Sequence, residues 1–531
     1  MSSWEEEGVR SATEYGPICM QNPYFAPDKI DGSENCLFLN IYTKDQTAKK
    51  PVLFFIHGGA FIYGNPKMTG EYLLEEDIVL VTVHYRLGPM GWLTTADSEA
   101  PGNYGLQDQI LALRWVQQHI GAFGGDKDQV TVAGLSAGGA SVTYLLLSPQ
   151  TKGLFSRAFS MSGSALAWWA NIPHQERTAA RLARALDCPT RNSAEMLSCL
   201  RAQSASEIMV AQASLYAWHP SRMEKEPMNI WSPRPDPEAG EDAVLPLEPR
   251  AAMSGGQVQP VPFLVGVTEK EGIWQAANYL EQSEVMDEFL QKFDDVGRHS
   301  LGLVNQVKSE DMGMIMGRIK DFYLSDLVTM ETHPGKRLES VASGMVDMMG
   351  DAMFNYPIDR MVRLLGSKEN SPVWMYQYNY KHNFSLAFFD PANPGQVRRP
   401  SHETLHGATH GHDTFMLFPF GSGVMTDEET KHSRNFVKFV VDFMVNGHPK
   451  SGGTNDYNGW EPVTDGQLTY YVHDKHSGPQ QGLPHQNRMQ WWSELPVFWN
   501  KNPEDLGRDD DSARYYFGEI TPEAIERKEE L

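Results

Sequence analysis

Cysteine is scarce, with only Cys19, Cys36, Cys188 and Cys199 in 531 residues. They fall as two close pairs; neither forms C-x-x-C and neither has a histidine nearby, which leaves zinc and dithiol redox chemistry without support. Two local disulfides or four buried thiols both fit these positions. Basic charge is also in deficit. Lys plus Arg number 45 against 68 Asp plus Glu, a net charge of −23, and a surface of that sign repels phosphate backbones, so no nucleic-acid partner is expected. Long apolar runs are missing too: the densest, Pro51 to Ile56 and Ile78 to Val83, fall far short of the roughly 20 residues of a membrane-spanning helix. The first residues, Met1-Ser-Ser-Trp-Glu-Glu-Glu7, supply neither the basic nor the apolar part of a secretion signal. No internal repeat or low-complexity tract is present.

Core-forming residues, by contrast, are plentiful: 41% of the chain is hydrophobic, with 13 Trp, 20 Tyr and 24 Phe, as in a globular protein. Leu37 to Tyr42, Val52 to Ile56, Ile78 to Tyr85, Val130 to Ala133 and Ala158 to Ser162 read as buried strands, while Leu106, Ile110, Leu113 and Val116 recur at helical spacing. The rhythm returns at Phe263 to Val267, Val373 to Tyr380 and Leu468 to Val472. Such alternation predicts an α/β fold with a mostly parallel sheet covered by helices. The stretches from about Asn171 to Pro260 and from Val285 to Leu365 read as large, mainly helical insertions. Trp231 to Gly240 is an irregular proline-rich loop, and Asn502 to Ser512 is a solvated surface segment.

Val130 to Ala133 runs into Gly134-Leu135-Ser136-Ala137-Gly138, followed by an apolar helical run. This is G-x-S-x-G in the strand-turn-helix setting that exposes a nucleophilic serine. With 46 Gly in the chain, about 0.3 such pentapeptides arise by chance, so the setting matters more than the letters. Upstream, the strand Val52 to Ile56 ends in His57-Gly58-Gly59-Ala60-Phe61. That loop is the usual partner of the elbow, its N–H groups joining that of Ala137 to hold an oxyanion.

A serine needs a base and an acid that orients the base, in chain order Ser, acid, His. Pattern alone leaves Glu269, Glu271, Asp126 and Asp128 open as the acid. His402, His406, His410 and His412 crowd one loop as candidate bases. His406 and His410 could share a helical face toward a metal, but the intervening glycines and the lack of H-E-x-x-H argue for no metal site, and no cofactor motif is present.

Taken with Ser33-Glu-Asn-Cys36-Leu-Phe-Leu-Asn, Tyr85-Arg-Leu-Gly88, Gly102 to Gln109, Phe123-Gly-Gly-Asp126 and Ser162-Gly-Ser164, these segments resemble the type-B carboxylesterase and cholinesterase family of α/β-hydrolases from about Trp4 to Asn500. The resemblance implies an α/β-hydrolase fold with Ser136 as nucleophile, Glu271 as acid and His410 as base. It places the oxyanion donors at Gly59, Ala60 and Ala137, with Gly58 supporting the loop. It pairs Cys19 with Cys36 and Cys188 with Cys199, and matches Trp169 to an acyl-pocket tryptophan and Trp274 to an aromatic of the gorge. Two departures argue against choline esters: residues 20 to 35 hold no tryptophan to bind a quaternary ammonium, and Leu135 stands where cholinesterases carry glutamate. The chain looks closest to invertebrate carboxylesterases and juvenile hormone esterases, although Leu135 also differs from the glutamine usual in the latter.

These readings predict a serine hydrolase of neutral hydrophobic esters, with a small-molecule ester as its partner and no assignment of oligomeric state. A non-catalytic, neuroligin-like binding protein and a slow-turnover ester scavenger are the alternatives. Residues 1–500 form one catalytic domain lacking the family's usual N-terminal segment, and 501–531 a charged tail. Secretion or residence in the ER lumen is expected from the resemblance. Asn383-Phe-Ser385 is a glycosylation sequon, and Lys528-Glu-Glu-Leu531 approaches the K-D-E-L retention address, although a solvated helix accounts for the same letters.

Overall fold

The continuous Val, Ile, Phe and Tyr runs become central strands because a parallel strand covered by helices is buried on both faces and has no polar side to display. The computed structural model describes residues 11–23, 29–215, 230–325, 334–368, 371–382, 385–388, 400, 403–419, 425–449, 457–497 and 500. Asn383, His402, the segments 502–512 and 528–531 and the whole proposed tail lie outside the described residues. Among the described residues nine strands form one sheet: β1 (Leu39–Tyr42), β2 (Lys50–Ile56), β3 (Val79–Val83), β4 (Gly125–Leu135), β5 (Arg157–Met161), β6 (Phe263–Thr268), β7 (Val373–Tyr378), β8 (Thr469–His473) and β9 (Gly478–Gln481). Their order is β1-β3-β2-β4-β5-β6-β7-β8-β9. Neighbours from β3 through β8 are parallel, and only the outer pairs β1–β3 and β8–β9 are antiparallel.

Eight strands lie where the apolar rhythm placed them. The ninth, β9, carries Gly478-Pro-Gln-Gln481 and had no such signal; it is held by its hairpin to β8 at the sheet's edge, where a proline is tolerated and polar side chains face water. Alternation along the strands divides the core. Val52, Phe54 and Ile56 enter one cluster with the helix Ala137–Leu147, while Leu53 and Phe55 enter another beneath the helix Asp427–Asn446. Every residue of Ala137–Leu147 is buried, which explains why its sequence shows no polar face.

A third apolar cluster belongs to the insertion that follows β6. The helices Ile273–Leu280, Ser283–Gln291, Phe293–Ser300, Ser309–Tyr323 and Pro334–Gly350 pack there around Tyr279, Ile319 and Met345. Pro334–Gly350 then widens into a π turn, Asp351–Asn355, before resuming as Tyr356–Gly366. Within the turn the Tyr356 N–H reaches back to the Asp351 carbonyl. Two disulfides, Cys19–Cys36 and Cys188–Cys199, close short loops outside the sheet. Among the described residues no helix is long and apolar enough to cross a membrane.

Candidate active site

Ser136 stands between the end of β4 and the first turn of the helix Ala137–Leu147, at φ 58° and ψ −119°. These angles are costly for a residue with a Cβ and persist only where the surroundings fix them. Here the Ser136 N–H donates to the Met161 carbonyl at 2.8 Å, and its own carbonyl accepts from the Ala140 N–H at 2.8 Å. The helix comes so near that a Cβ on Gly138 would lie 2.1 Å from the Ile56 carbonyl oxygen. Small residues on either side of the serine are therefore a steric requirement.

Beside the elbow, the loop after β2 takes three consecutive residues at positive φ: Gly59 at 116°, Ala60 at 51° and Phe61 at 64°. A side chain at Gly59 would meet the Tyr63 carbonyl oxygen at 1.9 Å. The turn folds the Ile62 and Tyr63 N–H groups back onto the Gly59 carbonyl. The N–H groups of Gly59 and Ala60 are left without an acceptor among the described residues, as is that of Ala137 at the start of its helix. Backbone donors are seldom left unpaired in a packed interior, and a cluster of them is an anion site in waiting. His57 braces the loop: its ring stacks on Tyr85 with centroids 4.5 Å apart, and the Tyr85 hydroxyl donates to the His57 carbonyl at 3.0 Å. Burial lowers the His57 pKa to about 4, so this imidazole is neutral.

Glu271 lies just past β6, only 1% exposed. Its Oε1 accepts from the Ser162 hydroxyl at 2.5 Å and from the Thr268 N–H at 2.7 Å, and its Oε2 meets His410 Nδ1 at 2.8 Å. Three bonds from fixed donors satisfy a buried carboxylate and set its orientation. With Nδ1 taken up by Glu271, the Nε2 edge of His410 is the one left for chemistry. Ser136, Ser162 and Thr268 sit at or just past the carboxyl ends of β4, β5 and β6, which are neighbours in the sheet, so the topology gathers the site. Ser136 and His410 share no hydrogen bond among the described residues; such pairs are often long before substrate binds.

The other candidates go elsewhere. Asp126 is at the opposite end of β4, paired with Lys49 at 3.3 Å, and Asp128 is exposed. Glu269 is partly exposed, its N–H bound to the Tyr378 carbonyl at 2.9 Å. His406 is exposed, while His412 is buried and stacked on His382 at 4.2 Å. Among the described residues no three His, Cys, Asp or Glu side chains gather as metal ligands.

Rings enclose the imidazole. Trp274 lies 5.8 Å from His410, and Phe354 stacks on it at 4.2 Å and 25°. Phe354 belongs to the π turn and was not singled out by sequence. Trp169 lies 5.8 Å from Phe354, its indole N–H donating to the Met353 carbonyl at 2.9 Å. In a regular helix that carbonyl would receive the N–H of residue 357, but Pro357 has none, so the proline is the signal that could have located this bond. Asp351 pins the turn by accepting from the Tyr323 hydroxyl at 2.7 Å, Asn355 Nδ2 at 2.8 Å and Arg488 Nε at 2.5 Å. Leu135 is partly buried and packs into the cluster with Phe55, on the sheet face away from Trp169 and Trp274. Beneath His410, burial and the nearby Glu271 raise the Asp413 pKa to about 6, although the carboxylate accepts the Tyr376 hydroxyl at 2.6 Å.

A parallel sheet with a serine elbow, a facing set of unpaired amides and a Glu–His pair defines the α/β-hydrolase class. Comparison with known proteins narrows this: the model of the carboxylesterase family matches residues 1–492. Venom carboxylesterase-6 of Apis mellifera is 32% identical over 450 residues, covering 83% of this chain and 76% of the relative. Esterase FE4 of Myzus persicae is 32% identical over 470 residues, 86% of this chain and 78% of the relative. Juvenile hormone esterase of Tribolium castaneum is 31% identical over 454 residues, 83% and 75% respectively. The chain belongs to the carboxylesterase family and is a carboxylic ester hydrolase.

Proposed function

We propose that Ser136 is the nucleophile of this hydrolase, His410 its general base and Glu271 the group that orients and supports the imidazole. His410 takes the hydroxyl proton as Ser136 attacks the ester carbonyl, and the N–H groups of Gly59, Ala60 and Ala137 hold the oxyanion. The imidazolium returns the proton to the leaving alcohol. Water then attacks the acyl-enzyme through the same imidazole, releasing the acid. The observation that carries this reading is the buried Ser162–Glu271–His410 chain behind a serine in elbow geometry.

The rings of Trp169, Trp274 and Phe354, with no charged side chain among them, favour neutral hydrophobic acyl groups. A juvenile-hormone-type ester is one candidate, on the strength of the named relative. The two disulfides support passage through an oxidising compartment, secreted or ER-luminal, and residues 1–500 are read as one catalytic unit. A fluorophosphonate probe should label the wild-type protein and leave Ser136→Ala unlabelled, and hydrolysis of 4-nitrophenyl butyrate should disappear with the label. Equal labelling of both proteins would refute the assignment.

A further inference from the structure

The turn that carries Glu271 is held by backbone to two neighbours. Its Lys270 N–H donates to the Ala408 carbonyl at 2.9 Å, two positions before His410, so the turn of the acid and the loop of the base are joined through main chain. The turn also rests on the helix Pro334–Gly350, where a Cβ on Gly272 would meet the Val346 carbonyl oxygen at 1.9 Å. A side chain crosses that second contact: Lys270 Nζ donates to Asp347 Oδ1 at 3.0 Å.

Asp347 has a second cation beside it. Its Oδ2 lies 3.4 Å from Arg488 Nη1, while Arg488 binds Asp351 through Nε at 2.5 Å and Nη2 at 3.1 Å. Asp347 and Asp351 lie one helical turn apart, so both face the same guanidinium. The distances show how it is divided, with two hydrogen bonds to Asp351 and one long contact to Asp347. Lys270 permits that division, because its ammonium answers the charge with which Asp347 would otherwise draw Arg488 toward itself. Lys270, Asp347, Arg488 and Asp351 thus form a row of alternating sign that begins beside Glu271 and ends at the first residue of the π turn. Glu271 holds the edge of His410 at Nδ1, and the π turn lays Phe354 on its face. The row connects two supports of one imidazole. Lys270 and Asp347 keep 28% and 21% of their side chains exposed, and a pair so placed adds little to overall stability; its effect falls on where Arg488 points.

We propose that Lys270 is a positioning residue: by neutralising Asp347 it keeps Arg488 on Asp351, and so holds the π turn and Phe354 in place over His410, a role that rests on Glu271 and His410 being the acid and the base. Lys270→Met keeps the length and loses the charge, Lys270→Arg keeps both, and Asp347→Asn in the methionine background removes the competing carboxylate. Each variant of the full chain is assayed for kcat and KM on 4-nitrophenyl acetate and octanoate. In Lys270→Met the octanoate-to-acetate ratio of KM should rise about threefold or more, with kcat on acetate changed less than about twofold, because a displaced wall is felt along the acyl chain and not at the carbonyl. Lys270→Arg should keep the wild-type ratio, and Lys270→Met/Asp347→Asn should return to within about twofold of it. An unchanged ratio in Lys270→Met, a displaced ratio in Lys270→Arg, or no recovery in the double variant would each overturn the role of Lys270. Glu271→Gln, assayed beside them, separates the two claims. Wild-type turnover in that variant would remove the catalytic reading and the role built on it, whereas an inactive Glu271→Gln together with an unchanged ratio in Lys270→Met would remove that role alone.

Discussion

Two irregular pieces of backbone meet near His410, the elbow at Ser136 and the π turn at Asp351–Asn355, and they are held by different means. The elbow is stabilised by its immediate neighbours. Gly138 admits the strand-to-helix approach, and the Ser136 N–H is tied to the adjoining strand. The π turn is held largely from a distance: Asp351 is bound by Tyr323, 28 positions away, and by Arg488, 137 away, while the Met353 carbonyl meets Trp169 across 184 positions. Both regions belong to the proposed site, the π turn through the stacking of Phe354 on His410. The first is written in a pentapeptide, whereas the second emerges only when three remote segments have packed, and the two should therefore fail differently when broken.

The largest effect is expected on the strand-end side. Glu271→Gln keeps the volume and the Ser162 contact but no longer holds His410 in one tautomer, and kcat should fall by on the order of 10³ to 10⁴. Circular dichroism and melting temperature should change little, because the site's backbone does not depend on that charge. A variant within tenfold of wild type would mean that another group orients the base.

Acid should come next, and it acts on both sides, since burial lowers His299 in the helical insertion to about 4 as well. Burial lowers the pKa values of His57, His382 and His432 to about 4, below the roughly 6.5 of an unfolded chain. The unfolded state therefore takes up protons first. The stability these neutral rings contribute is complete above about pH 6.5, is lost as pH falls toward 4, and changes no further below that. Each could account for up to about 3 kcal/mol. Hydrogen exchange at pH 7 and pH 4.5 should show the loop braced by His57 opening in acid, and equal protection at both values would contradict this account.

The same contrast explains what the sequence could tell. Eight strands were legible because burial on both faces demands unbroken apolar runs, and β9 was not, because a polar edge strand takes its structure from its partner. The elbow and the tight glycine loop after β2 were legible because their steric demands fall on adjacent residues. Choosing among Glu269, Glu271, Asp126 and Asp128 needed the family resemblance, since each is plausible until the sheet direction puts Asp126 at the far end of β4. The role of Ser162, the stacking of Phe354 and the Asp351–Arg488 pair had no local signature. Pro357 was the one clue within the helix, and it marks an interruption without saying what fills the freed carbonyl.

Asp351→Asn tests the remote support. Removing one member of a buried, hydrogen-bonded ion pair leaves Arg488 partly unmatched and should cost about 3 kcal/mol of stability, read as a lower urea midpoint. If the turn also relaxes toward regular helix, Phe354 and Met353 rotate away from His410 and Trp169. Preference among acetyl, butyryl and octanoyl esters should then change by more than the rate on any one of them. A destabilised protein with unaltered acyl preference would show that the network supports the fold without shaping the site.

The smallest effect separates the ring from the turn that carries it. Phe354→Leu retains an apolar side chain and leaves Asp351, Arg488 and the Met353 carbonyl in place, but gives up the face-to-face contact with His410 at 4.2 Å. Aromatic pairs of this kind contribute about 1 kcal/mol beyond burial, so stability should fall by about that much, and kcat/KM by no more than roughly fivefold, the limit reached when the whole contact is felt in the transition state. The double variant Asp351→Asn/Phe354→Leu sharpens the point. If the turn acts on catalysis only by presenting Phe354, the activity losses will not add, because the leucine variant has already lost what the asparagine would displace. Full additivity would place the turn's influence elsewhere, the bond between Met353 and Trp169 being the nearest alternative.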